Sequence, residues 1–201
     1  MKRLVVATGN AGKLREFTAL LAPLGIEPIP QSHFNVSAAP EPHRTFIENA
    51  LEKARHAAKL TGLPAMADDS GICVAALGGA PGVRSARYAC VNDGDASNDT
   101  ANNAKLIATL RGQANRSAHY YAALVLVRTP DDPEPLIAEG RWFGDVVDAP
   151  RGAGGFGYDP HFYLNALQRT AAELSPDEKN RVSHRAQALQ KLVAMLEEQP
   201  L

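Results

Sequence analysis

Four separated stretches of the sequence carry residue types that could do chemistry. In the first, Thr8-Gly9-Asn10-Ala11-Gly12-Lys13 lies between a short apolar run and a helical pattern. A helix N-terminus offers unpaired N–H groups and partial positive charge, so the stretch suits a phosphate. Its glycines let backbone approach a ligand, and Lys13 adds a full charge. It lacks the spacing of a P-loop, and an ordinary turn with a solvated lysine fits the same residues. In the second stretch, Asp68-Asp69-Ser70 adjoins buried sequence. Adjacent carboxylates there repel each other and lose hydration unless a cation or donors compensate. Beside phosphate the usual compensator is Mg²⁺, which takes one or two carboxylates and keeps several waters. Glu41, Glu48 and Glu52 are further carboxylate candidates upstream. A polar strand end with one Asp capping a turn is the plainer reading. Neighbours on a strand point to opposite faces, so one Asp of the pair is expected to reach a given site.

The third stretch, Gly152-Ala153-Gly154-Gly155-Phe156-Gly157, matches the Gly-x-Gly-x-x-Gly dinucleotide pattern letter for letter. Tyr158-Asp159-Pro160 follows it where that pattern needs a helix, so a dinucleotide fold is rejected. What remains is a Gly loop presenting Phe156 and Tyr158, which could stack on a base, and Asp159, which could accept hydrogen bonds. A simple loop fits as well. The fourth stretch holds Lys179 and Ser183-His184-Arg185, able to meet phosphate or a purine edge but also an ordinary basic surface. His33, His43, His56, His119 and His161 show no metal-ligand spacing, and no Gly-x-Ser-x-Gly elbow is present. Taken together, the four stretches supply the parts for a nucleoside triphosphate with Mg²⁺.

The elements that must position these residues alternate along the chain. Residues 3–8 form an apolar strand, and Leu14, Phe17, Leu20, Leu21 and Leu24 define a helix over about 11–24, stopped by Gly25. A Pro-rich connection is expected over 28–42. Thr45 and Glu48 make a capping box for a helix to about Leu60, closed by Gly62 and Pro64. Residues 64–67 read as a strand ending in the polar Asp68–Gly71 knot, with a second apolar run over 72–77. A helix over about 98–110 precedes two strands, 118–128 and 135–147, joined by a turn at Asp131-Asp132-Pro133. Ser175, Pro176 and Glu178 start another helix, and residues 186–197 form an amphipathic one. Strand and helix alternation predicts an α/β fold with a mixed sheet.

The chain has 201 residues, 45% hydrophobic and 21% charged, without repeats or low-complexity tracts. That composition predicts one globular domain spanning 1–201. Lys and Arg total 21 against 22 Asp and Glu, for a net charge of −1. So balanced a chain does not coat nucleic acid or an anionic membrane by bulk electrostatics. No run approaches the roughly 18 apolar residues of a membrane span, and no targeting segment is visible. Cys73 and Cys90 match no metal or redox spacing and read as small core hydrophobes in a reducing, cytoplasmic compartment.

Five ordered motifs resemble the inosine/xanthosine triphosphate pyrophosphatase family, in its bacterial form. They are the 8–13 stretch, Ala-Asp-Asp-Ser-Gly at 67–71, Leu-Gly-Gly-Ala-Pro-Gly-Val-Arg-Ser-Ala-Arg-Tyr at 77–88, Gly-Phe-Gly-Tyr-Asp-Pro at 155–160 and Ser-His-Arg at 183–185. The resemblance implies a central mixed, twisted β-sheet flanked by helices, two lobes with a nucleotide cleft between them, and a homodimer. It implies Mg²⁺-dependent cleavage of XTP, ITP or dITP to the monophosphate and pyrophosphate, cleaning the nucleotide pool. By the same resemblance Thr8, Gly9, Asn10, Ala11, Gly12 and Lys13 hold the triphosphate and Lys53 contacts phosphate. Asp69 is the catalytic carboxylate and, with Glu41, a metal ligand; Ser70 lies beside the nucleotide. Phe156, Gly157, Tyr158 and Asp159 sandwich and read the base, and Lys179, His184 and Arg185 read its edge. Two other readings compete: a Maf-like pyrophosphatase acting on modified pyrimidine triphosphates, and a nucleotide-binding module without turnover.

Overall fold

Leu4-Val5-Val6-Ala7 is apolar without alternation, the pattern of a strand covered on both faces. It forms β1 (Lys2–Ala7), whose last four residues are buried. The computed structural model describes residues 2–8, 13, 14, 17, 18, 21–92 and 95–201. Residues 13, 14, 17, 18 and 21 are helical, and a 3₁₀ turn at Ala22–Leu24 ends at Gly25. The Pro-rich connection hides a strand, β2 (Ile26–Pro30), paired parallel to β1 with Val6 opposite Pro30. Proline cannot donate to a ladder, and β2 tolerates Pro28 and Pro30 because it is the edge of the sheet.

The Thr45 side chain caps α1 (Phe46–Thr61) by accepting from Glu48 N, and Gly62 ends it at φ +67°. α1 buries Asn49, Ala50, Ala54, Ala57 and Ala58, a narrow face that lets the helix backbone approach closely. The sheet continues through β3 (Ala65–Val74), β4 (Ser117–Val127), β5 (Leu136–Val146), β6 (Phe162–Leu164) and β7 (Arg169–Thr170), in the order β2-β1-β3-β4-β5-β6-β7. β1 and β3 are parallel, whereas β5-β6 and β6-β7 are antiparallel, so the sheet is mixed as expected. The Asp131–Pro133 turn forms around Asp132, whose carboxylate accepts from Arg128 N and Glu134 N. The remaining helices are α2 (Asp99–Thr109), capped by Asn98, α3 (Pro176–Val182), with the Ser175–Glu178 capping box, and α4 (His184–Glu198).

One sequence expectation is corrected in the middle of the sheet. β3 does not end at Ala67 but runs straight through Asp68-Asp69-Ser70-Gly71 to Val74. The two carboxylates survive inside a strand because cations meet each of them, and Gly71 survives because nothing else fits. A Cβ there would lie 2.4 Å from Ser85 Oγ and 2.5 Å from Gly82 O. Cys73 and Cys90 are free thiols and only half-buried, not core residues. No helix among the described residues is long and apolar enough to cross a membrane.

The chain forms two compact units. The first comprises residues 1–69, 122–140 and 185–201, with a core that includes Leu4, Phe17, Met66, Leu124, Leu126, Leu189 and Leu192. The second comprises residues 70–121 and 141–184, cored by Ile72, Val74, Leu106, Leu110, Trp142 and Phe162. Each fully buried side chain of this size contributes about 1.5–3 kcal/mol from leaving water.

Candidate active site

In the first unit, strand alternation sends Asp68 and Asp69 to different partners. Asp68 is inaccessible to solvent at its side chain and sits between two cations. Arg185 Nε donates to its Oδ2 at 2.6 Å, and Lys13 Nζ lies 3.3 Å from its Oδ1. Burial opposes the charge, but Lys13 and Arg185 outweigh it and hold the carboxyl well below the usual range. Burial also lowers the Lys13 ammonium, against the opposing pull of Asp68.

Asp69 faces α1 instead. Lys53 Nζ donates to its Oδ1 at 2.8 Å and Asn49 Nδ2 to its Oδ2 at 3.4 Å. Asn49 and Lys53 are four residues apart, hence on one helix face. Asn49 is itself held by the segment before the helix, accepting from His43 N and donating to His43 O. Lys53 Nζ also donates to the Asp68 carbonyl at 3.1 Å and lies 3.6 Å from Glu41 Oε1. One ammonium therefore gathers two carboxylates and a carbonyl. Burial raises the Asp69 carboxyl; Lys53 opposes this, and Glu41 and Asp68 reinforce it. A cavity of about 230 Å³ opens here, lined by Thr8, Lys13, Gln31, Glu41, Lys53 and Asp68 among others. Gly9, Asn10, Ala11 and Gly12 lie outside the described residues. No cluster of three or more His, Cys, Asp or Glu side chains able to hold a metal occurs among the described residues. The donor set still suits Mg²⁺. Glu41 and Asp69 are hard oxygen donors converging on one cation, and Mg²⁺ needs only one or two carboxylates beside water and phosphate.

The second unit holds the Gly loop. Gly155 adopts φ +74°, and a Cβ there would meet Asp159 Oδ2 at 2.0 Å. The Asp159 carboxylate accepts from Phe156 N at 2.9 Å and pairs with Lys179 from α3. Lys179 Nζ stands 4.8 Å from the centre of the Phe156 ring, which is 47% exposed. The loop is fixed from α2 as well: Asp99 Oδ2 accepts from Gly157 N, and Asn103 Nδ2 donates to Gly157 O. Tyr158 is buried beneath the loop, its hydroxyl donating to Ser85 O at 2.7 Å. Of the two rings, Phe156 is the one exposed enough to stack on a ligand, while Tyr158 anchors the loop. Tyr158→Phe is expected to cost about 1–2 kcal/mol by stranding the buried Ser85 carbonyl, read as a lower denaturant midpoint. An unchanged midpoint would remove that anchoring role.

His184 opens α4 and stacks on Tyr120, centres 4.8 Å apart and planes 9° from parallel, with Trp142 at 6.4 Å. Arg185, the next residue, is in the first unit and fixed on Asp68.

A family model described as the Ham1 family matches residues 4–195. The chain belongs to the Ham1 family. The dITP/XTP pyrophosphatase of Ralstonia nicotianae is 65% identical over 196 residues, covering 98% of this chain and 97% of that protein. That of Bordetella pertussis is 63% identical, covering 98% and 92%. Among solved structures, a HAM1 protein from Coxiella burnetii superposes with TM-score 0.93 at 48% identity, covering 98% of this chain and all of that one. The Staphylococcus aureus Ham1 protein gives 0.88 at 36% identity, covering 98% and 99%. These relatives agree with the resemblance carried by the five motifs.

Sequence reasoning about this Ham1 chain overlooked several members of the site. Asn49 was findable, since it precedes Lys53 by one helical turn on a capped helix. Asp68 as a counter-ion for Lys13 and Arg185 was not, because its partners lie 55 and 117 positions away in sequence. Tyr120 and Trp142, which seat His184, come from two strands with no local mark of function.

Proposed function

We propose that the chain hydrolyses non-standard purine nucleoside triphosphates, XTP, ITP and dITP, to the monophosphate and pyrophosphate with Mg²⁺. The observation that carries this reading is Lys53 Nζ gathered between Asp69 and Glu41 in a cavity that Lys13 also lines. The names of the 58–65% identical relatives, dITP/XTP pyrophosphatase, support the substrate class.

In this reading Thr8, Gly9, Asn10, Ala11, Gly12, Lys13 and Lys53 bind the triphosphate. Glu41 and Asp69 would hold Mg²⁺, which supplies charge neutralisation on the phosphates when bound. Water attacks the α-phosphorus, the bond to the bridging oxygen breaks, and pyrophosphate leaves. Asp69 orients the attacking water and accepts its proton, while the two lysines stabilise charge on the departing group. Ser70 lies beside the nucleotide. Phe156 stacks on the base and Gly157, Tyr158 and Asp159 shape its loop. Lys179, His184 and Arg185 read the base edge, Arg185 from a position fixed by Asp68. A donor to O6 selects a 6-oxo purine, because adenine carries a donor there itself. All 201 residues serve this one activity, in a cytoplasmic homodimer. Exposed Phe143, Leu167 and Val182, around an apolar groove of the second unit, support a covered surface.

Pyrophosphate release from dITP, XTP, dGTP, ATP and a modified pyrimidine triphosphate tests the proposal, with Mg²⁺ and then with chelator. The expected profile is release from dITP and XTP, near silence with dGTP and ATP, and loss under chelation. Release of orthophosphate, preference for the pyrimidine, or binding without turnover would overturn it.

A further inference from the structure

One side chain at the carboxyl ends of the parallel strands has no part in the chemistry above. β2 ends with Pro30 opposite Val6, so Gln31 stands level with the Ala7 end of β1. β3 pairs Ala67 with Ala7, which brings Asp68 level with Thr8. In open α/β sheets, ligands gather at these carboxyl ends. Gln31 is only 9% exposed and lines the 230 Å³ cavity together with Lys13 and Lys53. Its backbone carbonyl accepts from Asn35 N and Val36 N. Its carboxamide has no hydrogen-bond partner among the described residues. A carboxamide carries two N–H donors, and at a cavity-lining position they are accessible to whatever occupies the cavity. Lys13 and Lys53 line the same cavity with Glu41 and Asp68, so its charge is balanced, and the two ammonium groups give it donors that suit an anion rich in acceptor oxygens.

The geometry points to Gln31 as a binding residue for the phosphate chain, its Nε2 donating to a non-bridging oxygen of the two phosphates that leave as pyrophosphate. This rests on the proposed triphosphate chemistry of the same cavity. The local fold explains the residue's place: Pro30 ends β2, and the 3₁₀ turn Gln31–Phe34 turns the chain away.

The test is calorimetric binding of inorganic pyrophosphate with Mg²⁺ to wild type and to Gln31→Met, which keeps the volume and removes the donors. Gln31→Met is expected to weaken pyrophosphate binding about 10- to 100-fold and to raise KM for dITP in parallel. Gln31→Glu, which brings a negative charge to the same place, is expected to weaken it further. Wild-type affinity in Gln31→Met overturns the inference. A readout that needs no variant is the Gln31 side-chain NH₂ resonance pair in the wild-type protein. The pair is expected to shift on titration with pyrophosphate, and an unmoved pair at saturation overturns the inference. The two readings fail separately. A wild-type protein that neither binds pyrophosphate nor releases it from dITP overturns both, whereas one that does both, with Gln31→Met unaffected, overturns only the role of Gln31.

Discussion

Asp69→Asn is expected to lower kcat for dITP by about 10²- to 10⁴-fold, the range associated with a positioned acid–base group, while KM changes far less. Asparagine keeps the size of the side chain and one oxygen for the 2.8 Å contact from Lys53, while its NH₂ group takes the place of the oxygen that Asn49 Nδ2 meets at 3.4 Å. What it loses is the negative charge and the capacity to accept a proton. In the proposed reading other groups hold the triphosphate, Lys13 and Lys53 first among them, so binding should survive. Steady-state kinetics with a pyrophosphate-release readout separates the two parameters. A kcat equal to wild type would remove Asp69 from the chemistry, and a pure KM effect would recast it as a binding group.

Asp68→Asn is expected to act on the fold itself. Its carboxylate is enclosed by Arg185 at 2.6 Å and Lys13 at 3.3 Å, and Arg185 is only 3% exposed. Neutralising one partner of a buried ion pair leaves the other charge uncompensated in a poorly solvated place, at a cost of about 3–5 kcal/mol. That is a large share of a typical domain stability of about 5–15 kcal/mol. For a chain of this length Tm should fall by roughly 10 °C. The double variant Asp68→Asn/Arg185→Met, which removes the stranded guanidinium as well, should recover much of the loss. Equal Tm for wild type and Asp68→Asn would show that solvent reaches the group. Equal Tm for the single and double variants would show that Arg185 is not the charge left stranded.

The two aspartates adjoin in sequence and yet act in different places, one on Lys53 and one on Lys13 and Arg185. The period of a strand foretells that separation, because successive side chains leave on opposite faces. Which cations wait on each face is not a local property.

The same division runs through the whole protein. The Thr45 cap, the Ser175–Glu178 capping box, the helix starting near Asn98, the turn around Asp132 and the apolar runs of β1 and β4 depend on neighbours within a few residues, and all were legible in the sequence. The family motifs were legible for the same reason, being short and ordered. β2 escaped because its two prolines argue against a strand until the sheet order makes it an edge. β3 was cut short because a polar stretch reads as a strand end unless distant cations satisfy it. Tyr158 looked like a base-stacking ring until Ser85 claimed its hydroxyl. Sequence alone determined most of the elements, the family and the kinds of side chain on offer. The tertiary structure decided which are paired, which are buried as anchors, and that Gln31 lines the cavity, because burial and long-range pairing exist only once distant segments meet.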